Sequence, residues 1–230
     1  MKIAVDGPAG AGKSTIARLL AKHLGLRYLD TGAMYRAITL EALRREVDTG
    51  DEEALMKVAT SVDLNIVFQG DKGNLIYLNG EDVTNSIREP EVTAHVSAVS
   101  SHKKLRDFIV ALQEQIAKQG SVVMDGRDIG TVVMPDADWK FFLQATVEER
   151  ARRRQSELER RGVSLDAGEL REQIRRRDHL DSTRENSPLR KADDAIEVDT
   201  TSLSVAEVVQ KLLDLIKGDD EDVHVCGNNS

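Results

Sequence analysis

Cysteine occurs once in 230 residues, at Cys226. That excludes an intramolecular disulfide and a cysteine-based zinc site. Aromatic residues are only 3% of the chain, too few for a base-stacking platform on single-stranded nucleic acid. No apolar run approaches the roughly 20 residues that cross a bilayer. The apolar stretch after Met1 is too short for a secretory signal. Basic residues are not in excess either: 32 Lys and Arg stand against 40 Asp and Glu, a formal charge of −8. Four of these acids, Asp219, Asp220, Glu221 and Asp222, sit together near the C-terminus. A mildly acidic chain is a poor ligand for nucleic acid or an anionic membrane. His23, His95, His102, His179 and His224 lack metal-ligand spacing, and no Ser/His/Asp grouping suggests hydrolysis. Hydrophobic residues at 40% and charged residues at 31% indicate a packed globular core rather than disorder. The expectation is a cytoplasmic protein with no nucleic-acid or membrane partner. No leftover apolar stripe asks for a second subunit, so a monomer is expected.

What is present reads as an α/β chain. Lys2–Asp6 is a short apolar run ending in a glycine-rich turn, a buried strand. Ile16, Leu19, Leu20 and Leu24 then follow helical spacing, with Gly25 as a C-cap. Arg27–Asp30 reads as a second strand and 32–45 as a second helix. Strand, loop, helix, strand, helix is the opening of a parallel sheet flanked by helices. Residues 62–90 break the rhythm. Leu64, Ile66 and Phe68 alternate, and Asn79-Gly80 is a hairpin turn, so a small antiparallel sheet is inserted there. Residues 91–118 return to helix, in two pieces meeting near Ser100. Ser121–Met124 and Trp139–Leu143 are strands. Capping boxes at Thr146 and Ser204 open further helices, Gly162 interrupts the first of them, and Ala195–Val198 is a last strand. Residues 1–217 form one domain, and 218–230 are an acidic tail expected to be disordered.

Gly7-Pro8-Ala9-Gly10-Ala11-Gly12-Lys13-Ser14 matches the P-loop pattern G-x-x-x-x-G-K-[ST], between a strand and a helix as the pattern requires. Glycines let several backbone N–H groups point at one anion, and the helix adds its positive end. The expected ATP-phosphate cradle is Gly7 to Ser14 with Thr15. Lys13 reaches the β- and γ-phosphates, and Ser14 ligates Mg²⁺. There is no N-K-x-D element for guanine. Asp125 is followed by Gly-Arg-Asp, not by the D-x-x-G of a GTPase switch. A small kinase remains.

Phosphoryl transfer is mostly positioning and charge stabilisation. Residues 150–190 hold twelve arginines and eight acids, a basic window in an acidic chain. Arginine suits bidentate phosphate contacts. A solvated helix face with i,i+4 ion pairs accounts for many of these residues. It accounts least for Arg177 and Arg184, which flank Asp178 and Asp181. Arg36 and Arg127 each follow a strand, on the side where ligands sit in open α/β sheets.

These stretches resemble the bacterial cytidylate kinases. The resemblance is carried by Asp6 through Ser14, Leu29-Asp30-Thr31-Gly32-Ala33-Met34-Tyr35-Arg36, Asp125-Gly126-Arg127-Asp128-Ile129-Gly130-Thr131-Val132-Val133, and Arg177-Asp178 through Asp181 to Arg184. It covers about residues 1–216. It implies a core, an NMP-binding insert at about 60–100 and a short helical LID at about 146–165. It also implies transfer of the ATP γ-phosphate to CMP or dCMP in pyrimidine nucleotide metabolism, with Mg²⁺. By similarity, Arg36, Arg127 and Arg177 bind the acceptor or transferring phosphate. Ser97, Arg106 and Asp128 read cytosine, while Asp181 and Arg184 hold sugar and phosphate. Arg150 and Arg154 resemble lid arginines, with Arg152 and Arg153 competing for that role. Thr31 stands where many relatives carry Ser. The cations expected to carry the transfer are Lys13, Arg127, Arg177 and Arg184.

The base assignment has an independent rationale. Cytosine offers an N4 donor beside N3 and O2 acceptors, which a carboxylate and an arginine complement. Uracil presents O4 where the amino group was. Asp128 could instead cap a helix or pair with an arginine, and Ser97 could be a plain helix-surface residue. Tyr35 packs either against the nucleotide or into the core. A kinase for UMP, AMP or shikimate, or an ATP-binding regulator without turnover, are the alternative readings.

Overall fold

The computed structural model of the chain describes every residue except 71, 72, 161, 163–165 and 226–230, with side chains described as far as Gly218. Its centre is a five-stranded parallel sheet in the order β2-β6-β1-β7-β8. The strands are β1 (Lys2–Asp6), β2 (Arg27–Asp30), β6 (Val122–Gly126), β7 (Trp139–Gln144) and β8 (Ile196–Asp199). β1 is flanked by β6 and β7, with Asp6 opposite Gly126 and Phe142. Its run Ile3-Ala4-Val5 is buried throughout, as a central parallel strand covered on both faces must be. Alternation along it splits the core. Ile3 and Val5 face Ile16, Leu20, Phe141 and Leu212, from α1 (Lys13–Leu24), β7 and α8 (Val205–Val225). Ala4 joins Met34, Ile38, Leu55, Leu105 and Ile109 on the opposite face, from α2 (Thr31–Arg44), α3 (Glu52–Ser61) and α5 (Lys103–Lys118).

The chain leaves β1 toward β2 on one side and later reaches β7 on the other. That reversal beside β1 is a topological switch point, where open α/β sheets form a crevice at their strand C-termini.

The insert is a three-stranded antiparallel sheet, β3 (Leu64–Phe68), β4 (Asn74–Leu78) and β5 (Glu81–Asp82). Asn79 (φ 50) and Gly80 (φ 84) make the two-residue turn between β4 and β5, the positive-φ pair of a type I′ hairpin. Ile76 and Leu78, with Val83 and Ile87 beyond the sheet, pack on Ala33, Ala37 and Leu40 of α2. α4 (Pro90–Val99) completes this layer. α6 (Val147–Glu159) and α7 (Ala167–Thr183) pair through Ala151, Leu158, Leu170 and Ile174.

Two features depart from expectation. Helix α3 was not anticipated. Asp51 caps it by accepting from the Ala54 N–H, and Leu55, Val58 and Ala59 form a narrow buried stripe. The tail expected to be disordered from residue 218 is helical to Val225. Gly218 takes no left-handed φ, and a lone glycine costs a helix only about 1 kcal/mol, so nothing there stops α8. The last five tail residues lie outside the described ones. Among the described residues no helix is long and apolar enough to cross a membrane.

One side chain ties the small sheet to the large one. Asn74 Nδ2 donates to the Tyr28 carbonyl (2.7 Å), and its Oδ1 accepts from the Asp30 N–H (2.8 Å). The amide thereby closes the open edge of β2. Asn74→Ala should cost about 1–3 kcal/mol, the scale for leaving buried polar groups unpaired, and should speed amide exchange in β3 and β4. Unchanged melting and exchange would remove this link.

Candidate active site

Three strands end in carboxylates side by side. Asp30 lies opposite Asp125 in the β2–β6 register, and Asp6 lies opposite Gly126. From Asp6 the chain turns through the glycine-rich loop into α1. Gly7 admits no side chain there: a Cβ would lie 2.0 Å from the Leu143 carbonyl oxygen, and φ is +146°. Lys13 is buried, and its Nζ folds back to donate to the Pro8 carbonyl at 2.7 Å. Burial, then repulsion from Arg127, holds its pKa well below the usual lysine value. Ser14 and Thr15 are exposed on the first turn of α1.

Ser14 Oγ donates to Asp125 Oδ2 (2.8 Å), and Tyr28 Oη donates to Asp125 Oδ1 (2.7 Å). Thr31 Oγ1 donates to the Asp125 carbonyl (2.7 Å). Burial, then the neighbouring Asp30, raises the Asp125 carboxyl to about 6. Burial would raise Asp30 too, but Arg36 (2.7 Å) and Arg88 (3.1 Å) hold it low. Asp30 also caps α2, accepting from the Ala33 N–H.

Beyond β6 the chain makes a wide π-helical turn, 129–133. Arg127 and Asp128 immediately precede it. Arg127 Nε donates to Asp181 Oδ2 at 2.8 Å. Asp128 does not cap the turn. It pairs with the buried Arg106, while Arg184 approaches its other oxygen at 3.8 Å. The Arg106 guanidinium also lies over the Tyr35 ring (5.5 Å to the centroid) and donates to the Ser100 carbonyl. Helical spacing puts Arg177, Asp181 and Arg184 on one side of the α7 end. Burial, then Arg127, lowers Arg177 to about 10. Arg184 Nε donates to the Ser187 carbonyl.

Four of these arginines are incompletely matched. Arg36 Nε, Arg106 Nε, Arg177 Nε and Arg184 Nη2 are buried with no acceptor among the described residues, and so is the Tyr35 hydroxyl. Buried donors left unpaired are costly, and an anionic ligand would supply acceptors.

The remaining expected residues are placed differently. Arg150 is buried and fully engaged. It grips Asp178 with both terminal nitrogens (2.9 and 2.6 Å) and donates to the Ala9 and Ala145 carbonyls. It therefore braces the loop against α7. Arg154 pairs with Glu157, though its charge still bears on Arg177. Arg152 is exposed beside Glu149, and Arg153 reaches Thr200. Ser97 is half-buried in the last turn of α4, where its carbonyl accepts from Ser100 Oγ. The site residues that sequence reasoning left out are Asp6, Tyr28, Asp30, Arg88 and Asp125. An acid at the end of each of three strands was the available signal.

A glycine-rich loop at the end of a central parallel strand, facing partly unmatched arginines, places the chain among the P-loop α/β phosphotransferases. The family model described as Cytidylate kinase matches residues 3–218. A cytidylate kinase of Bacillus cereus (strain B4264) is 53% identical over 219 residues, 95% of this chain and 96% of that protein. One from Bacillus thuringiensis (strain Al Hakam) is 53% identical over 218 residues, with the same coverage. The chain belongs to the cytidylate kinase family. Among solved structures, an uncharacterized protein from Eubacterium ventriosum ATCC 27560 aligns with a TM-score of 0.51 at 13% identity, over 95% of this chain and 98% of that one. That likeness concerns the fold alone.

The raised Asp125 carboxyl has a stability consequence. Its folded pKa of about 6 exceeds the ordinary 3.8, so the fold favours the protonated form. The cost of ionising it is absent below the ordinary value and complete above the folded one. Asp125→Asn should match the wild type in urea unfolding at about pH 4. At about pH 7.5, without nucleotide or Mg²⁺, it should be more stable by about 1–3 kcal/mol. A pH-independent difference would refute this account.

Proposed function

We propose that the chain transfers the γ-phosphate of ATP to CMP or dCMP, giving ADP and CDP or dCDP. The observation that carries this reading is the set of buried, unpaired guanidinium N–H groups on Arg36, Arg177 and Arg184, beside an Asp128–Arg106 pair. The first group suits a phosphate. The second offers one carboxylate and one guanidinium, which complement the N4 donor and the N3 and O2 acceptors of cytosine.

The glycine loop is the donor-phosphate cradle in this reading. Lys13 leaves the Pro8 carbonyl for the ATP phosphates, where its charge has a better partner. Ser14 with Asp125 is an oxygen donor set that fits Mg²⁺. Bound there with ATP, the ion would neutralise charge on the phosphates. Arg127, oriented by Asp181, and Arg177 stabilise the transferring group, and Arg184 with Asp181 holds the acceptor sugar and phosphate. Ser97 and Tyr35 complete the acceptor pocket. Arg150 secures the ATP side by fixing the loop, and Arg154 lies within electrostatic reach of the transfer point. The small sheet with α4 serves as the NMP-binding part. The α6–α7 hairpin serves as a lid that excludes water, so that ATP is transferred rather than hydrolysed.

A product assay at fixed ATP with CMP, dCMP, UMP and AMP in parallel tests the reading. Diphosphate should form fastest from CMP or dCMP, and none from either would defeat it. Lys13→Ala should keep the fold and lose at least about 10²-fold in kcat, the range for removing a key electrostatic donor. Asp128→Asn can present a donor to uracil O4. It should lower CMP efficiency by about 1–3 kcal/mol and raise relative UMP turnover, with the ATP KM little changed. Equal losses with CMP and UMP would remove the base-reading role.

A further inference from the structure

Asp6 is buried and assigned no part in the chemistry above. It is 5% exposed at the end of β1, one residue before the phosphate loop. Its two oxygens accept from the N–H groups of Ile129 (2.9 Å) and Gly130 (2.7 Å). Those are the first residues of the π-helical turn, directly after Arg127 and Asp128. A buried carboxylate is tolerated when charge-assisted hydrogen bonds replace its water, and here both partners are backbone groups of one turn. A π-turn is an uncommon, locally unfavourable geometry, so an external clamp fixes where it points.

Space beside the turn is limited as well. A Cβ on Gly130 would come 3.2 Å from Lys140 Cδ and 3.4 Å from Asp6 Oδ2. The Lys140 stem cannot easily yield, because its Nζ is tied to the Pro135 carbonyl and Asp194, both at 2.6 Å. The lysine stem and the Asp6 carboxylate thus leave little room for a side chain at Gly130.

We propose that Asp6 is a positioning residue for acceptor selection: by clamping the Ile129 and Gly130 amides it aims Arg127 at the transfer point and Asp128 at the base. This rests on the cytidylate kinase reading. It adds that discrimination between cytosine and uracil is set partly from the end of β1, by a residue that touches neither nucleotide. Since Gly7 follows Asp6, the same clamp fixes the acceptor-reading turn relative to the donor loop.

Asp6→Asn is the test. An asparagine offers one acceptor oxygen, and its NH₂ faces an amide N–H, so one of the two bonds is lost with little change in size. CMP KM should rise by about 10-fold, the scale of one hydrogen bond to a charged group. The CMP over UMP preference in kcat/KM should fall by about the same factor, with ATP KM unchanged within about 3-fold. In an Asp128→Asn background the substitution should cause little further loss of selectivity, because residues acting as a unit are non-additive. Gly130→Ala, which pushes the turn with Asp6 intact, should reproduce the loss of selectivity, and it decides the matter if Asp6→Asn does not fold. A purely structural role would lower kcat for CMP and UMP in parallel with both KM values unchanged, and that result overturns the proposal. A wild-type protein that makes no CDP would instead overturn the functional reading, so the two failures are distinguishable.

Discussion

Everything around the site follows from gathering more positive charge at one sheet edge than the local acids can neutralise. Burial, and then repulsion from Arg127, depresses Lys13 and Arg177, in a protein whose net charge is −8. Such a cluster survives in a folded chain because most of its cations have an anchor, Arg177 being the exception among the described contacts. Arg127 has Asp181, Arg36 has Asp30, Arg106 has Asp128, and Lys13 has the Pro8 carbonyl. The anchors are incomplete by design of the geometry, since several guanidinium N–H groups remain unpaired. Binding of phosphate-bearing ligands then relieves repulsion and satisfies donors in one step. That is how a preorganised site stabilises charge without rearranging when the reaction occurs.

The parallel register supplies the anchors. Strand β6 lies between β2 and β1, so Asp30, Asp125 and Asp6 come to one edge although Asp125 lies 95 positions after Asp30 and 119 after Asp6. Each acid then does a different job. Asp30 starts a helix and restrains two arginines. Asp125 faces Ser14 and Tyr28. Asp6 holds a backbone turn. The cost of burying three carboxylates together appears as the raised pKa values of Asp6 and Asp125, both about 6.

What was legible in the sequence was what depends on near neighbours along the chain. The phosphate loop, the β1 run, the Asn79-Gly80 turn and the capping at Thr146 and Ser204 each need only a few adjacent residues, and the structure has them all. Ser204 and Glu207 form both halves of their capping box. At Thr146 only the hydroxyl caps, because Glu149 is occupied by Arg152 and Arg153. Helix α3 was missed because its apolar stripe is three residues wide among acids, and the tail was read as disordered from its run of acids, whereas the helix continues through them to Val225. Asp125 was read as failing a GTPase switch and as part of the stretch that carries the family resemblance, but was given no role of its own. Its partner Ser14 lies 111 positions away in the chain, a proximity that only the sheet order creates. Arg150 shows the converse limit: its place in an arginine-rich run suggested a ligand contact, whereas its guanidinium is spent on Asp178 and two carbonyls.

In the reading proposed above, donor and acceptor sides therefore share parts and cannot be tuned separately. The Asp125 carboxylate faces Ser14 on the donor side, while its own carbonyl holds Thr31 at the start of α2, the helix that carries Tyr35 and Arg36. Arg150 joins the Ala9 carbonyl of the loop to Asp178, the neighbour of Arg177. Asp6 sits between Gly7 and the turn behind Asp128. Shifting any one of these would move groups on both proposed nucleotide sides, so free energies of substitution across the two sides should couple rather than add. In a P-loop enzyme that must bring two phosphates together before either can react, such shared supports make alignment a property of the folded core itself. The chain reaches that alignment with small polar side chains at strand ends, where the backbone is most rigid.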